Sequence, residues 1–500
     1  MNRRQFFNGT LAAAATAVPG QYALASLLQS LTTVSTSVAA VTGDGHEVEL
    51  EKAAVTELQE SLRGRLLLSG DEAYDQARRV LNPSIDKHPA LIVQPSGPAD
   101  VANAVTFANE RNLLLAVKCG GHSVAGRSTC DGGLQIDLSR FRNTRIDRKN
   151  KTAYVTGGSL LGDLDHESMS QGLVTTAGTV SHTGIGGLSL GGGFGRLARK
   201  YGLTLDNIKA VDIVTADGQL RHASTEENEE LFWGVRGGGG NFGVVTSFEL
   251  ALHEMDRTVI GGDVIVPLDR TKEFLQFYAD YSASAPDELS LDFIMVAPPG
   301  GQPGVAIIHA VYSGDKRKAD KVLAPLNAVA NPIANTIAAV DYVALQRKSD
   351  NSDPRHGGDY LKSGFVTEID DRQIDAVVQG FESHPDRSTL FYYQQSGGAI
   401  GRVADDATAF AHRYSTNGPM AIASWNANVD PEPHIAYLRS YWNTITPFTH
   451  GFYTNVVEDA TQNATNRNFR GNYDRLVALK NQYDPNNLFR LNANIEPTKA

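Results

Sequence analysis

Cysteine is almost missing from this chain. Cys119 and Cys130 are the only two in 500 residues, so no disulfide framework holds the fold and its stability has to come from buried apolar surface. Four convergent Cys or His ligands are also missing around them, which excludes a structural zinc site. Both are expected to be thiols, with a single bridge between them as the alternative. No run of five or more basic residues occurs and the net charge is -11, so there is no electrostatic footprint for nucleic acid. Beyond the first forty residues no apolar stretch approaches the roughly 20 residues of a membrane span. Glycine, by contrast, is plentiful and clustered. The chain has 48 glycines, crowded into residues 120–133, 157–202 and 234–243, and such clusters need a backbone explanation. The rest of the composition, 41% apolar and 20% charged, is ordinary for a globular chain of two or three domains.

The first forty residues differ from the rest. Arg3 and Arg4 precede Phe6 and Phe7, and a weakly apolar, Ala-rich stretch follows. This is the layout of a bacterial twin-arginine signal, with cleavage expected after Ala25 or Ala40 and export to the periplasm or beyond. Such export suits proteins that load a cofactor before translocation.

Residues 45–86 read as a helical lead-in. A βαβ-like unit follows: a buried strand at 90–93, a helix started by Ser96 and Pro98, and a strand at 113–117 that ends at Lys118 and turns through Gly120 and Gly121 into His122. Strands are expected at 134–138, 153–156 and 242–250, and helices at 160–171 and 226–235. A hairpin is expected about Asp217 and Gly218. Residues 178–202 carry nine glycines and are not expected to be regular throughout. From about residue 256 the glycine clusters stop. Strands at 258–267, 289–297 and 305–312, with helices near 270–282 and 316–328, suggest an antiparallel α+β layer.

Two glycine strings imitate a dinucleotide fingerprint. Residues 238–243 fit G-x-G-x-x-G, but the β-like Val244-Val245-Thr246 follows where a helix is required; residues 193–198 fit the variant ending in Ala but lack a preceding strand. Glycine loops at several strand ends serve another purpose equally well, because bare amides can approach phosphates and flat rings.

Family resemblance adds to this. The segment Lys118 to Ser123, the string Gly184-Ile185-Gly186-Gly187-Leu188-Ser189-Leu190-Gly191-Gly192-Gly193-Phe194-Gly195, Arg199-Lys200-Tyr201-Gly202-Leu203, Trp233 to Gly243, and the closing Tyr483-Asp484-Pro485-Asn486 with Asn492-Ala493-Asn494-Ile495 closely resemble the berberine bridge enzyme-like oxidases of the vanillyl-alcohol oxidase superfamily. The resemblance implies a two-subdomain FAD-binding domain split between residues 50–255 and 450–500, with an antiparallel substrate domain at 256–449. It implies FAD bonded through its 8α carbon to His122. Gly120, Gly121 and Ser123 would surround the pyrophosphate, Gly184, Gly186 and Gly187 the isoalloxazine, and Gly240, Asn241 and Val245 the nucleotide. Asn492 and Asn494 would close over the flavin. Many members add a cysteinyl link at the position of Val180, so a single covalent bond is expected here. No metal is implied.

The implied chemistry is hydride transfer from an alcohol or amine to flavin N5, with a base to take the heteroatom proton. Tyr453, in a Y-x-N segment with Asn455, is the leading candidate, provided its pKa is lowered by a neighbour or by the oxidised flavin. Residues 390–398 read as a strand with Tyr393 and Gln395 on one face and Tyr392 and Gln394 on the other. One pair should line the pocket, and Tyr393 with Gln395 is the pair assigned. Dioxygen is the expected electron acceptor, giving hydrogen peroxide. The alternatives are a dehydrogenase that feeds a quinone or cytochrome, and an exported nucleotide- or sugar-binding protein without catalysis.

Overall fold

The computed structural model describes residues 37–350, 357–384, 388–456 and 459–498. The expected export signal lies outside them except for residues 37–40.

The βαβ unit forms a four-stranded sheet in the spatial order Arg65–Leu67, Leu91–Gln94, Leu134–Asp137, Leu115–Lys118. Leu134–Asp137 pairs in parallel with both of its neighbours. The parallel geometry requires a crossover, which helix Pro98–Glu110 supplies; it starts on a proline and buries Val101, Ala104, Val105 and Ala108 against the sheet. A second sheet is antiparallel, in the order Leu220–Ser224, Ile208–Val214, Val244–Ala251, Thr152–Thr156, Thr144–Asp147. Its expected hairpin turns at Gly218, whose φ of +73° suits glycine.

The third sheet is the largest and runs antiparallel through Thr258–Pro267, Val305–Tyr312, Leu289–Ala297, Thr389–Gln395, Asn417–Asn426 and Gly357–Ser363, with short strands on its first edge. Helices Thr271–Ser284, Asp371–Val378 and Glu432–Ile445 cover one face of it. Phe274, Tyr278, Ile374, Val377, Leu438 and Tyr441 pack there onto Leu291, Phe293, Phe391 and Tyr393. Each such side chain contributes about 1.5–3 kcal/mol when removed from water, so this face is decisively the core. By the two-residue period of a strand, Asp292, Ile294, Tyr392 and Gln394 are turned the other way, toward the glycine-rich domain.

One expectation changes. The lead-in is not wholly helical: strands Val38–Val41 and Glu47–Leu50 form a hairpin before helix Lys52–Ser61. Ala40 and Leu50 are buried in the neighbouring core, and the backbone nitrogen of Val41 donates to Gly132. Tertiary pairing outweighs the local mixture of apolar and polar residues. Residues 178–202 are irregular over much of their length, as expected, and contain a seven-residue helix, Ile185–Gly191. Buried Ile185 and Leu190 anchor it in the core, which offsets the cost of helical glycine.

Candidate active site

Strand Leu115–Lys118 delivers His122 by a tightly constrained turn. The buried Lys118 ammonium donates to the Ala77 carbonyl and lies 3.6 Å from the Asp137 carboxylate, which holds the strand end. A Cβ on Gly120 would collide with the backbone nitrogen of Gly184, and Gly121 has φ +70°. No other residue fits this pair of positions without moving the loop. Burial pushes the Cys119 thiol up to about 11, and Cys119 and Cys130 are both free.

His122 then enters a cavity of about 410 Å³. Its Nε2 is 2.7 Å from Nδ1 of His182, and its Nδ1 is 3.3 Å from the Thr183 hydroxyl. Gly120, Gly121, Ser123, Gly184, Gly186, Gly187, Gly240, Asn241, Val245, Asn492 and Tyr453 also line this cavity. Asn494 does not line it. Its carbonyl accepts from Gln462, and its side-chain oxygen is buried without a partner among the described residues. Val180 lines the cavity, and neither free thiol stands in its place.

The C-terminal segment is tied down by Asn241. Its Nδ2 donates to the carbonyls of Gly238, at 2.8 Å, and Ala493, at 2.9 Å, while its Oδ1 accepts from Ile495 at 3.1 Å. Helix Tyr473–Tyr483 adds a fully buried ion pair. Lys480 Nζ donates to Asp484 at 2.6 Å and to the Asn241 carbonyl at 2.9 Å. Asp484 in turn accepts from the backbone of Leu488 and Phe489. The loop at 238–243 and the segment at 489–495 are therefore held by one network.

The Tyr453 hydroxyl accepts from the Gly193 backbone at 3.0 Å and from Asn455 Nδ2 at 2.8 Å. Asn455 also donates to the Leu188 carbonyl, which ties the tyrosine to the glycine helix. Burial is the largest influence on this phenol and raises it to about 12, against the pull of the two donors. The lowered value expected from sequence is thus not a property of the chain by itself.

The assignment of Tyr393 and Gln395 to the pocket is corrected. Tyr393 is wholly buried in the helix-covered core, where its hydroxyl accepts from Gln373 at 2.7 Å. Gln395 bonds the Leu291 nitrogen and the Ser282 carbonyl. Their opposite-face neighbours, Tyr392 and Gln394, line the cavity together with Leu361, Met420 and Ile422. Sequence reasoning also missed two residues. His182 stands two residues before Gly184 with no motif of its own to mark it. Asp292 pairs with Gln394 across the sheet on the same face, half-buried, and it accepts a 3.3 Å contact from the Gln395 nitrogen. Burial raises its pKa above the usual carboxylate range.

This lining suits a large, flat, polar-ended ligand. A Cβ on Gly187 would meet nothing within 4 Å, so the wall is left bare toward the cavity, and the Ser128 hydroxyl, which also lines it, is buried without a partner among the described residues. Among the described residues no group of three or more His, Cys, Asp or Glu is placed to hold a metal, and no helix is long and apolar enough to cross a membrane. A parallel βαβ unit beside an antiparallel sheet, with glycine loops from both lining one cavity and a third sheet walling it, forms a site shaped for a bulky dinucleotide cofactor, and the relatives place the chain among the FAD-dependent oxidoreductases. The FAD binding domain family matches residues 89–224, and the berberine and berberine like family matches residues 452–496. An FAD-linked oxidoreductase of Dictyostelium discoideum is 34% identical over 89% of this chain and 97% of its own. Chitooligosaccharide oxidase of Gibberella zeae is 28% identical over 86% and 91%. The crystal structure of 6-hydroxy-D-nicotine oxidase from Arthrobacter nicotinovorans superposes with a TM-score of 0.78 at 26% identity, covering 87% of this chain and 98% of that one. The chain belongs to the berberine bridge enzyme-like family of FAD-linked oxidoreductases.

Proposed function

We propose that this enzyme is an exported oxidase carrying FAD on the single anchor His122, and that it oxidises a compact alcohol or amine with dioxygen as acceptor, releasing hydrogen peroxide. The observation that carries this reading is that His122 and the Tyr453 hydroxyl line one glycine-floored cavity. When bound, FAD supplies a hydride acceptor for a C–H bond beside a hydroxyl or amine. Tyr453 takes the heteroatom proton at its phenolate oxygen, where the Gly193 N–H and the Asn455 amide stabilise the charge. Tyr392 and Gln394 orient the substrate by hydrogen bonds, and Leu361, Met420 and Ile422 exclude water from it. Val180 leaves His122 as the only covalent anchor.

Leu361, Met420 and Ile422 in the cavity wall favour a small, largely apolar compound over an oligosaccharide. For export, cleavage after Ala25 leaves the strand Val38–Val41 intact, whereas cleavage after Ala40 removes most of it. Aerobic peroxide release, screened across amines, alcohols and sugars, tests the reading. Peroxide with an amine or alcohol and flavin retained in an acid precipitate are the expected results. Flavin reduction without peroxide, relieved by a quinone, would move the enzyme to the dehydrogenases.

A further inference from the structure

We propose that Arg196 is a specificity-determining positioning residue: it ties the glycine-rich wall of the cavity to the wall formed by the third sheet, and the width that it fixes confines the enzyme to compact substrates. This rests on the reading of a compact alcohol or amine given above. Gly178, Thr179, Val180 and Phe194 line the cavity from the glycine-rich domain, and Tyr392 and Gln394 line it from the third sheet. Arg196 itself does not line the cavity and is only 6% exposed.

Gly195 presses this part of the chain onto the glycine-rich wall, since a Cβ there would fall 1.7 Å from the Ala177 carbonyl oxygen. Arg196 Nη1 then donates to the Thr179 carbonyl at 3.4 Å and to Gln346 Oε1 at 2.6 Å. Gln346 comes from the other side. It ends the helix Tyr342–Gln346, whose Val343 and Leu345 pack with Val259 and Val311 of the third sheet. Its Nε2 donates to the Gly178 carbonyl at 2.9 Å and to Asp165 at 3.2 Å. Arg196 Nε donates to His309 Nε2 at 3.3 Å. His309 stands opposite Asp292, and Asp292 opposite Gln394. Directly opposed residues share a face, so the arginine is joined to the row that ends in Gln394, about 10 Å along the sheet.

An arginine Nε always carries its proton, so His309 Nε2 accepts and its Nδ1 donates to Asp263 at 2.6 Å. The partners of the guanidinium, Thr179, Gln346 and His309, are therefore all neutral. A buried charge without a carboxylate in contact is costly, and an apolar side chain of similar length would pack here at less cost. What the arginine adds is direction, because its rigid planar fork holds two walls at one spacing.

The test uses the FAD-loaded full-length chain and three alcohols of one, two and three fused rings: benzyl alcohol, 2-naphthalenemethanol and 9-anthracenemethanol. Half-saturation is read anaerobically from the change in flavin absorbance, by binding or by reduction, for the unmodified chain, Arg196→Met, Arg196→Lys and His309→Leu. The unmodified chain is expected to favour one ring over three by about tenfold or more. Arg196→Met, which removes the tie, and His309→Leu, which removes its acceptor on the sheet, are expected to lose most of that preference by gaining on the three-ring alcohol. Arg196→Lys should keep part of it. Should Arg196→Met fail to fold, His309→Leu carries the comparison. Equal weakening for all three alcohols, or an unchanged preference in both variants, overturns the role of Arg196 and leaves the compact-substrate reading standing. An unmodified chain that binds the three-ring alcohol best, or none of the three, overturns that reading and the role of Arg196 with it.

Discussion

Replacing Tyr453 with Phe tests the chemistry at a single oxygen. The ring stays, and with it the edge-on contact to Phe194 at 5.2 Å, but the acceptor for the Gly193 N–H and the Asn455 amide is lost. Asn455 keeps its bond to the Leu188 carbonyl, and leaving the buried Gly193 donor unsatisfied costs about 1–3 kcal/mol of stability. The kinetic loss is larger. A positioned base contributes about 10²–10⁴-fold, which at 1.36 kcal/mol per tenfold is about 3–5 kcal/mol of barrier. The assay is anaerobic stopped-flow reduction of the bound flavin, with the substrate that the peroxide screen identifies. Because burial holds the phenol at about 12, the phenolate fraction rises about tenfold for each pH unit below that value. The reduction rate of the unmodified enzyme should therefore climb from pH 7 to 10, and that of Tyr453→Phe should be slow and flat. A variant that reduces flavin within about threefold of the unmodified rate, with the same pH profile, would refute the role of Tyr453.

Three further outcomes are expected. Tyr393→Phe should cost about 1 kcal/mol in denaturant unfolding, from the lost Gln373 hydrogen bond, with flavin reduction unchanged, whereas Gln394→Leu should raise KM with the fold intact. Lys480→Met strands the Asp484 carboxylate in the interior and should cost about 3–5 kcal/mol, with weaker retention of non-covalent FAD when combined with His122→Ala, measured by fluorescence of the filtrate. Burial lowers His412 to about 4, so the unfolded chain binds a proton near pH 6.5 and the folded chain does not until about pH 4. Stability should fall as pH drops through that window, by on the order of 3 kcal/mol from this residue, and His412→Gln should flatten the fall seen in urea titrations at pH 7 and 4.5.

The sequence made the glycine-rich half legible because its constraints are local. Gly120, Gly121 and His122 are adjacent in the chain, and the strand before them is marked by an unbroken apolar run. The cavity wall was less legible. A period of two shows that Tyr392 and Tyr393 face opposite ways, but the choice between them is made by helices Thr271–Ser284, Asp371–Val378 and Glu432–Ile445, which come from distant parts of the chain to cover one face. Asp292 and Gln394 become neighbours only through strand pairing across about a hundred residues. His182 meets His122 across sixty. Such partners leave no periodic trace, and the helix Ile185–Gly191 was hidden because its stability comes from packing rather than from helix propensity.

The clasp of Asn241 on Ala493 and Ile495 also sets an order of events in time. Residues 238–243 are made about 250 residues before the segment that closes over them, and the whole of the third sheet is synthesised in between. Until residues 489–495 are in place the cavity lacks the wall that Leu491, Asn492 and Ala493 give it, so FAD that is not yet bonded can leave again. Durable capture waits until the last turns of the chain emerge and the clasp engages. Retention of a cofactor that is not covalently bonded therefore depends on the segment at 489–495, and a chain shortened by its final ten residues and carrying His122→Ala should fold its sheets yet let the flavin go.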